Sequence, residues 1–143
     1  KVRNSKLKID SPNRLKPFKS VRTMPYPGFP TDAQAVMMSV ATVAKGTTVF
    51  VENIFESRYR HVEDLTRLGA NIKVANKVAV VEGVDRLFGA KVVAKELRGA
   101  AALVVASLKA EGRTEIEGIK YLERGYEDLE VVLSSLGANI RKV

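Results

Sequence analysis

Apolar and polar positions along this chain fall into contrasting textures, and each predicts a different kind of element. Two stretches, Ala35-Val36-Met37-Met38-Ser39-Val40-Ala41 and Ala100-Ala101-Ala102-Leu103-Val104-Val105-Ala106, are apolar on nearly every face of a helix. They predict long helices over 31–45 and 97–110 that are buried all round. Elsewhere Glu, Arg, Lys and Thr are interspersed with apolar residues, as in Arg113-Thr114-Glu115-Ile116-Glu117, which predicts half-solvated strands over 47–52, 71–74, 113–117 and 139–143. Shorter helices are expected at about 61–68 and 126–136. Ala75-Asn76 is a plausible hairpin turn into a further strand over 77–83. Sheets with one wet face enclosing a central set of helices satisfy both textures, so the predicted class is α/β.

The same pattern occurs twice. Leu68-Gly69-Ala70-Asn71-Ile72 returns as Leu136-Gly137-Ala138-Asn139-Ile140, and Ala44-Lys45-Gly46-Thr47-Thr48 matches Ala110-Glu111-Gly112-Arg113-Thr114. Phe55-Glu56 before Tyr59 loosely matches Leu122-Glu123 before Tyr126, and the offset throughout is 66 to 68 residues. Repeats of about 21–84 and 90–143 follow, each reading helix, strand, short helix, strand. The first continues into a strand that the second lacks, and 1–9 reads as part of a hairpin with no helix before it. The expectation is a piece of a longer protein.

Composition narrows the chemistry. Of 143 residues, 45% are hydrophobic and 28% charged, an ordinary globular mixture. With no cysteine and a single histidine, His61, there is no disulfide framework, thiolate metal site or imidazole cluster. Nothing resembles a membrane span or signal peptide. The net charge of +8 raises the question of nucleic acid, but its distribution argues otherwise. Residues 1–31 hold eight Lys or Arg against Asp10 alone, whereas the remaining 112 residues are nearly neutral. No aromatic residues interleave with that basic run as a base-stacking surface needs, so it reads as solvated strand and loop.

Three charged residues stand at predicted element starts. In Pro27-Gly28-Phe29-Pro30-Thr31-Asp32-Ala33-Gln34 the proline stiffens the approach, Thr31 is a candidate cap and Gln34 sits three residues on, the pattern of a capping box. Asp32 then falls in the first helical turn, where an acid either serves chemistry or complements the helix dipole. The repeat aligns Asp32 with Arg98, a cation whose position opposes the dipole. It is either a functional group or a surface arginine paired with Glu96. Arg124, in Glu123-Arg124-Gly125-Tyr126-Glu127, combines a guanidinium, a glycine and a predicted helix start, a weak anion-site pattern. Together they suggest an anionic substrate and a proton acceptor.

Four segments in order, PGFPTDAQ, then Asn53-Ile54-Phe55-Glu56-Ser57-Arg58-Tyr59-Arg60-His61, then Glu96-Leu97-Arg98-Gly99-Ala100, then Glu123-Arg124-Gly125-Tyr126-Glu127 with LGANI, resemble the C-terminal part of enolpyruvyl transferases acting on a UDP-sugar. The resemblance runs from about Val21 to Val143. It implies an inside-out α/β barrel of repeated units, of which residues 1–143 are the C-terminal part of one domain. It also implies transfer of the enolpyruvyl group of phosphoenolpyruvate to the 3′-hydroxyl of UDP-N-acetylglucosamine with release of phosphate, the step that opens peptidoglycan synthesis in the bacterial cytoplasm. No cofactor or metal is implied, nor any partner besides the two substrates and the remainder of the polypeptide.

By the same resemblance Asp32 contacts the sugar and accepts the hydroxyl proton, Arg98 and Arg124 hold phosphoenolpyruvate and the departing phosphate, and Ile54, with Phe55 beside it, lies against the UDP-sugar through a backbone group. His61 also fits the motif. The family usually has Asn at Ser57 and commonly Asp at Glu96 and Glu123. Its cysteine- or aspartate-bearing acid loop and its N-terminal lysine have no counterpart here, so this chain alone is expected not to turn over. A sibling activity on shikimate phosphate and a non-catalytic phosphate- or polyanion-binding module are the alternatives.

Overall fold

Two helices without a polar face have to be covered on all sides, and this requirement organises the molecule. The computed structural model describes residues 2, 3, 6–8, 10 and 13–143. Along the chain these form β1 (Val2–Arg3), β2 (Lys6–Leu7), β3 (Ser20–Arg22), α1 (Thr31–Ala41), β4 (Thr47–Val51), α2 (Val62–Arg67), β5 (Asn71–Ala75), β6 (Val78–Glu82), β7 (Lys91–Val93), α3 (Leu97–Ser107), β8 (Glu115–Glu117), α4 (Lys120–Glu123) and α5 (Leu129–Ser135). Of α1 only Asp32 is exposed, and no residue of α3 is. Small residues let the two backbones approach: Ser39 Oγ donates across to Ala102 O at 2.7 Å. Around this pair lie Phe50, Leu65, Leu68, Leu87 and Val92, all fully buried.

Sheets wrap the pair. One has the order β3-β4-β6-β5 and another pairs β7 with β8. Both β3–β4 and β7–β8 are parallel, each joined through a buried helix as a parallel pair requires. In β4 and β6 buried positions alternate with partly or fully exposed ones, Phe50, Ala79 and Val81 facing the helices. The α/β class with helices inside and sheets outside is therefore realised.

Several boundaries differ from expectation. Helix α1 ends at Ala41, where the Thr42 hydroxyl donates to Ser39 O at 2.6 Å, and α3 ends at Ser107. The β5–β6 turn is Asn76-Lys77, one residue later than expected, because Asn76 takes the left-handed φ of 54° that asparagine tolerates. The last short helix, α5, starts only at Leu129, since Asp128 at φ 43° breaks the helical path before it. No strand forms over 139–143 among the described residues. The matching β5 is held by β6, and without a neighbour an extended segment has no ladder. In the N-terminal hairpin β1 and β2 pair antiparallel, while Lys1, Asn4, Ser5 and Ile9 lie outside the described residues.

Two packing details have measurable consequences. Where the chain leaves β6, Gly83 crosses the end of the α1 segment, donating to Gly46 O at 2.9 Å. A Cβ there would stand 1.6 Å from Ala44 O, a backbone atom that cannot rotate away. His61, just before α2, is buried with neither ring nitrogen hydrogen-bonded among the described residues. Burial pulls its pKa down to about 4, against the opposing pull of Glu96 and Asp64.

Gly83→Ala is expected to lower unfolding free energy by at least about 2 kcal/mol in denaturant titration. For His61 the sign follows from the lowered pKa. The unfolded chain takes up a proton below about 6.5, the folded chain only near 4. The stability it confers is complete above pH 6.5 and declines as pH falls toward 4. A drop from pH 7 to pH 5 is expected to cost about 2 kcal/mol by linkage, a slope that His61→Gln removes.

Candidate active site

The N-terminal ends of α1 and α3 lie together, and this makes the site. Each helix has eleven residues, and Asp32 and Arg98 are the second residue of each. Arg98 Nε donates to Asp32 Oδ1 at 2.5 Å. Arg98 also stands 4.0 Å from Glu96 Oε2, the partner considered from sequence, but Asp32, its counterpart in the repeat, is the nearer. Asp32 remains two-thirds exposed (68%) and Arg98 one-third (33%), which leaves both reachable by a ligand.

The local folding of the helix heads is not the capping box expected. Pro30 occupies the cap position and no side chain caps α1. The Thr31 hydroxyl donates instead to Glu52 Oε2 at 2.9 Å, and Gln34 is buried in the core. At the head of α3 it is Glu96 that caps, accepting from the backbone N–H of Arg98 at 2.9 Å and from that of Gly99. That carboxylate offsets the cation at a helix N-terminus, a compensation the sequence signalled only as an acid two residues ahead of Arg98.

Sequence reasoning missed Glu52. It stands one residue beyond β4, 1% exposed, with both oxygens in use. Oε1 accepts from Thr23 Oγ1 at 2.8 Å, Ile54 N at 2.9 Å and Phe55 N at 3.1 Å, and Oε2 accepts from Thr31 Oγ1. Burial pushes its pKa up, but the four donors outweigh that and hold it below the ordinary carboxylate value. The available signal was an acid at the end of an otherwise uncharged strand, which also fits a solvated strand end.

Beyond Glu52 the chain forms a loop with Ile54 and Phe55 partly exposed, 37% and 49%. Their N–H groups are committed to Glu52, so the carbonyls are the backbone groups open to a ligand. Arg58 lies over the Phe55 ring at 4.2 Å, and Ser57 adopts φ 55°, a conformation easier for Asn than for Ser. An open cleft of about 570 Å³ runs beside this loop, with Arg58, Arg60 and Lys77 on its walls. The Tyr59 hydroxyl donates to Lys77 O at 3.0 Å. Burial, with the nearby Glu52 charge, raises its pKa to about 12, so it is a fixed donor at neutral pH.

Arg124 is placed differently from expectation. It closes α4 as its C-terminal cap rather than opening a helix, so the anion site of guanidinium plus helix N-terminus does not form. A Cβ on Gly125 would lie 2.9 Å from Leu97 Cδ1, so the residue following Arg124 rests on the side chain of the residue before Arg98. No side-chain hydrogen bond or ion pair engages Arg124 among the described residues. Neighbouring Glu123 pairs with Lys142.

Comparison with known proteins agrees with this architecture. The family profile described as EPSP synthase (3-phosphoshikimate 1-carboxyvinyltransferase) matches residues 2–133. UDP-N-acetylglucosamine 1-carboxyvinyltransferase 2 of Caldanaerobacter subterraneus subsp. tengcongensis is 49% identical over 143 residues, 100% of this chain and 34% of that protein. UDP-N-acetylglucosamine 1-carboxyvinyltransferase of Desulfofundulus thermocisternus is 51% identical over 135 residues, covering 94% of this chain and 55% of the relative. The chain thus spans about a third of the first and about half of the second. Among solved structures, the enolpyruvyl transferase NikO from Streptomyces tendae superposes with TM-score 0.78 at 33% identity, over 88% of this chain and 30% of that one. An EPSP synthase from Acinetobacter baumannii, at 19% identity and TM-score 0.62 over 78% of this chain and 26% of its own, shares the fold. By its sequence match and by its folded form, this chain belongs to the EPSP synthase (3-phosphoshikimate 1-carboxyvinyltransferase) family.

Proposed function

We propose that this chain is part of a UDP-N-acetylglucosamine 1-carboxyvinyltransferase, supplying the sugar-side carboxylate and two arginines for enolpyruvyl transfer from phosphoenolpyruvate. The observation that carries the reading is the Asp32–Arg98 pair, a carboxylate and a guanidinium in contact at the heads of two buried helices. The names of the relatives supply the substrate class.

In this reading the sugar 3′-hydroxyl adds to C2 of phosphoenolpyruvate. Its proton passes to the Asp32 carboxylate, which a ligand hydroxyl meets within hydrogen-bond reach. Addition puts a proton on C3, delivered by an acid on the rest of the polypeptide, and elimination of phosphate with return of a C3 proton to a base there leaves the enolpyruvyl ether. Arg98 pairs with the phosphoenolpyruvate anion and, by orienting Asp32, aligns acceptor and electrophile. Arg124, on the segment resting beside Leu97, adds the second cation facing the phosphate as it departs. The Ile54 carbonyl and the Phe55 side chain flank the UDP-sugar beside the basic cleft. The setting is the bacterial cytoplasm, and the partner is the rest of the same polypeptide. No helix among the described residues is long and apolar enough to cross a membrane.

Calorimetry on the complete protein is expected to show binding of UDP-N-acetylglucosamine in preference to shikimate 3-phosphate, and the reverse order would assign the sibling activity. Asp32→Asn keeps an acceptor for Arg98 and is expected to leave the melting temperature unchanged while phosphate release falls about 10²–10⁴-fold. Arg98→Lys retains the charge without the fork and is expected to lower kcat/KM by at least about tenfold. Turnover at the parental rate in Asp32→Asn would exclude Asp32 as the proton acceptor.

A further inference from the structure

Glu52 is assigned no part in the reaction, yet its burial calls for one. An ionised carboxylate taken out of water is costly, and an apolar residue at the end of β4 would pack without that cost. What the carboxylate gains is four donors from three segments. One is a side chain just after β3, one is the first residue of α1, and two are the amides of the Ile54–Phe55 loop. These are the segments that enclose the proposed sugar site. Thr23 extends the tie: its hydroxyl oxygen also accepts from Asn53 N at 2.8 Å, and its own N–H reaches Val51 O at 3.0 Å.

We infer that Glu52 is a positioning residue: it fixes the Ile54–Phe55 loop relative to the head of α1, and so sets the distance between the backbone group facing the UDP-sugar and the Asp32 carboxylate. This rests on the function proposed above. Two routes lead from Glu52. Through the Ile54 and Phe55 amides it orients the Asn53 and Ile54 carbonyls away from itself, because a trans peptide whose N–H is turned onto a buried acceptor points its C=O the opposite way. Through the Thr31 hydroxyl it holds the first residue of α1, the immediate neighbour of Asp32. Glutamine keeps one acceptor oxygen and therefore holds only one of the two routes, with no substrate contact of its own removed.

The test uses the complete protein and calorimetric titration with UDP-N-acetylglucosamine and, separately, phosphoenolpyruvate. In Glu52→Gln the Kd for UDP-N-acetylglucosamine is expected to rise about tenfold or more at unchanged stoichiometry, with the Kd for phosphoenolpyruvate within about twofold of the parent. A merely structural role lowers the stoichiometry, because fewer molecules are folded, and leaves Kd where it was. That result overturns the inference. Glu52→Asp keeps the charge but is one methylene shorter, and is expected to fold with a smaller rise in Kd. Should both variants fail to fold, hydrogen exchange in the parent decides. Amides of Ile54 and Phe55 protected beyond loop rates support the tie to Glu52, and exchange at free-peptide rates overturns it. Absence of UDP-N-acetylglucosamine binding by the parent would instead refute the proposed function, and the amide protection would still report on Glu52 separately.

Discussion

The close contact of α1 with α3 is the constraint from which the rest of this structure follows. Neither helix has a face that water can wet, so each must be covered by the other and by sheets on the remaining sides. Alanine and serine along the contact allow a backbone approach short enough for Ser39 to donate directly to Ala102 O. That approach fixes the helix heads side by side. Once they are there, residues 32 and 98 meet without any loop having to place them. A site on two packed helices is more rigid than one borne on connections.

The loop side of the site is built on the opposite principle. Residues 53–61 have little regular structure, and Ser57 takes a backbone conformation uncommon for its type. Order there comes from Glu52, from the Tyr59 hydroxyl reaching Lys77 O, and from Arg58 stacked over Phe55. One wall is thus held by packing and the other by a small set of polar contacts. Acid that protonates Glu52 loosens the second wall while leaving the helix contact apolar and intact.

What could be read from sequence follows this division. The buried helices, the solvated sheets and the alignment of Asp32 with Arg98 were legible because periodicity and an internal repeat are local properties of the chain. Glu52 was not, since its significance lies in Thr23 and Thr31, residues 29 and 21 positions earlier, and nothing local announces that meeting. The capping box failed for a related reason: Pro30 takes the cap position, so Thr31 is already the first helical residue, and its hydroxyl is turned onto a distant buried carboxylate instead. Arg124 was misplaced because Asp128 adopts a left-handed conformation, moving the next helix start beyond it. Residues 139–143 show that extended propensity needs a neighbour to become a strand.

The head-to-head helix contact also bears on how a duplicated scaffold can become asymmetric. Positions 32 and 98 are equivalent in the two units, yet they touch. Two aspartates or two arginines at that separation would repel one another, so a faithful copy of one unit beside the other is disfavoured at this very pair. Divergence here relieves a conflict and at the same moment yields one acidic and one basic group facing the same space. At this pair, close packing of two like units itself forbids them to remain alike.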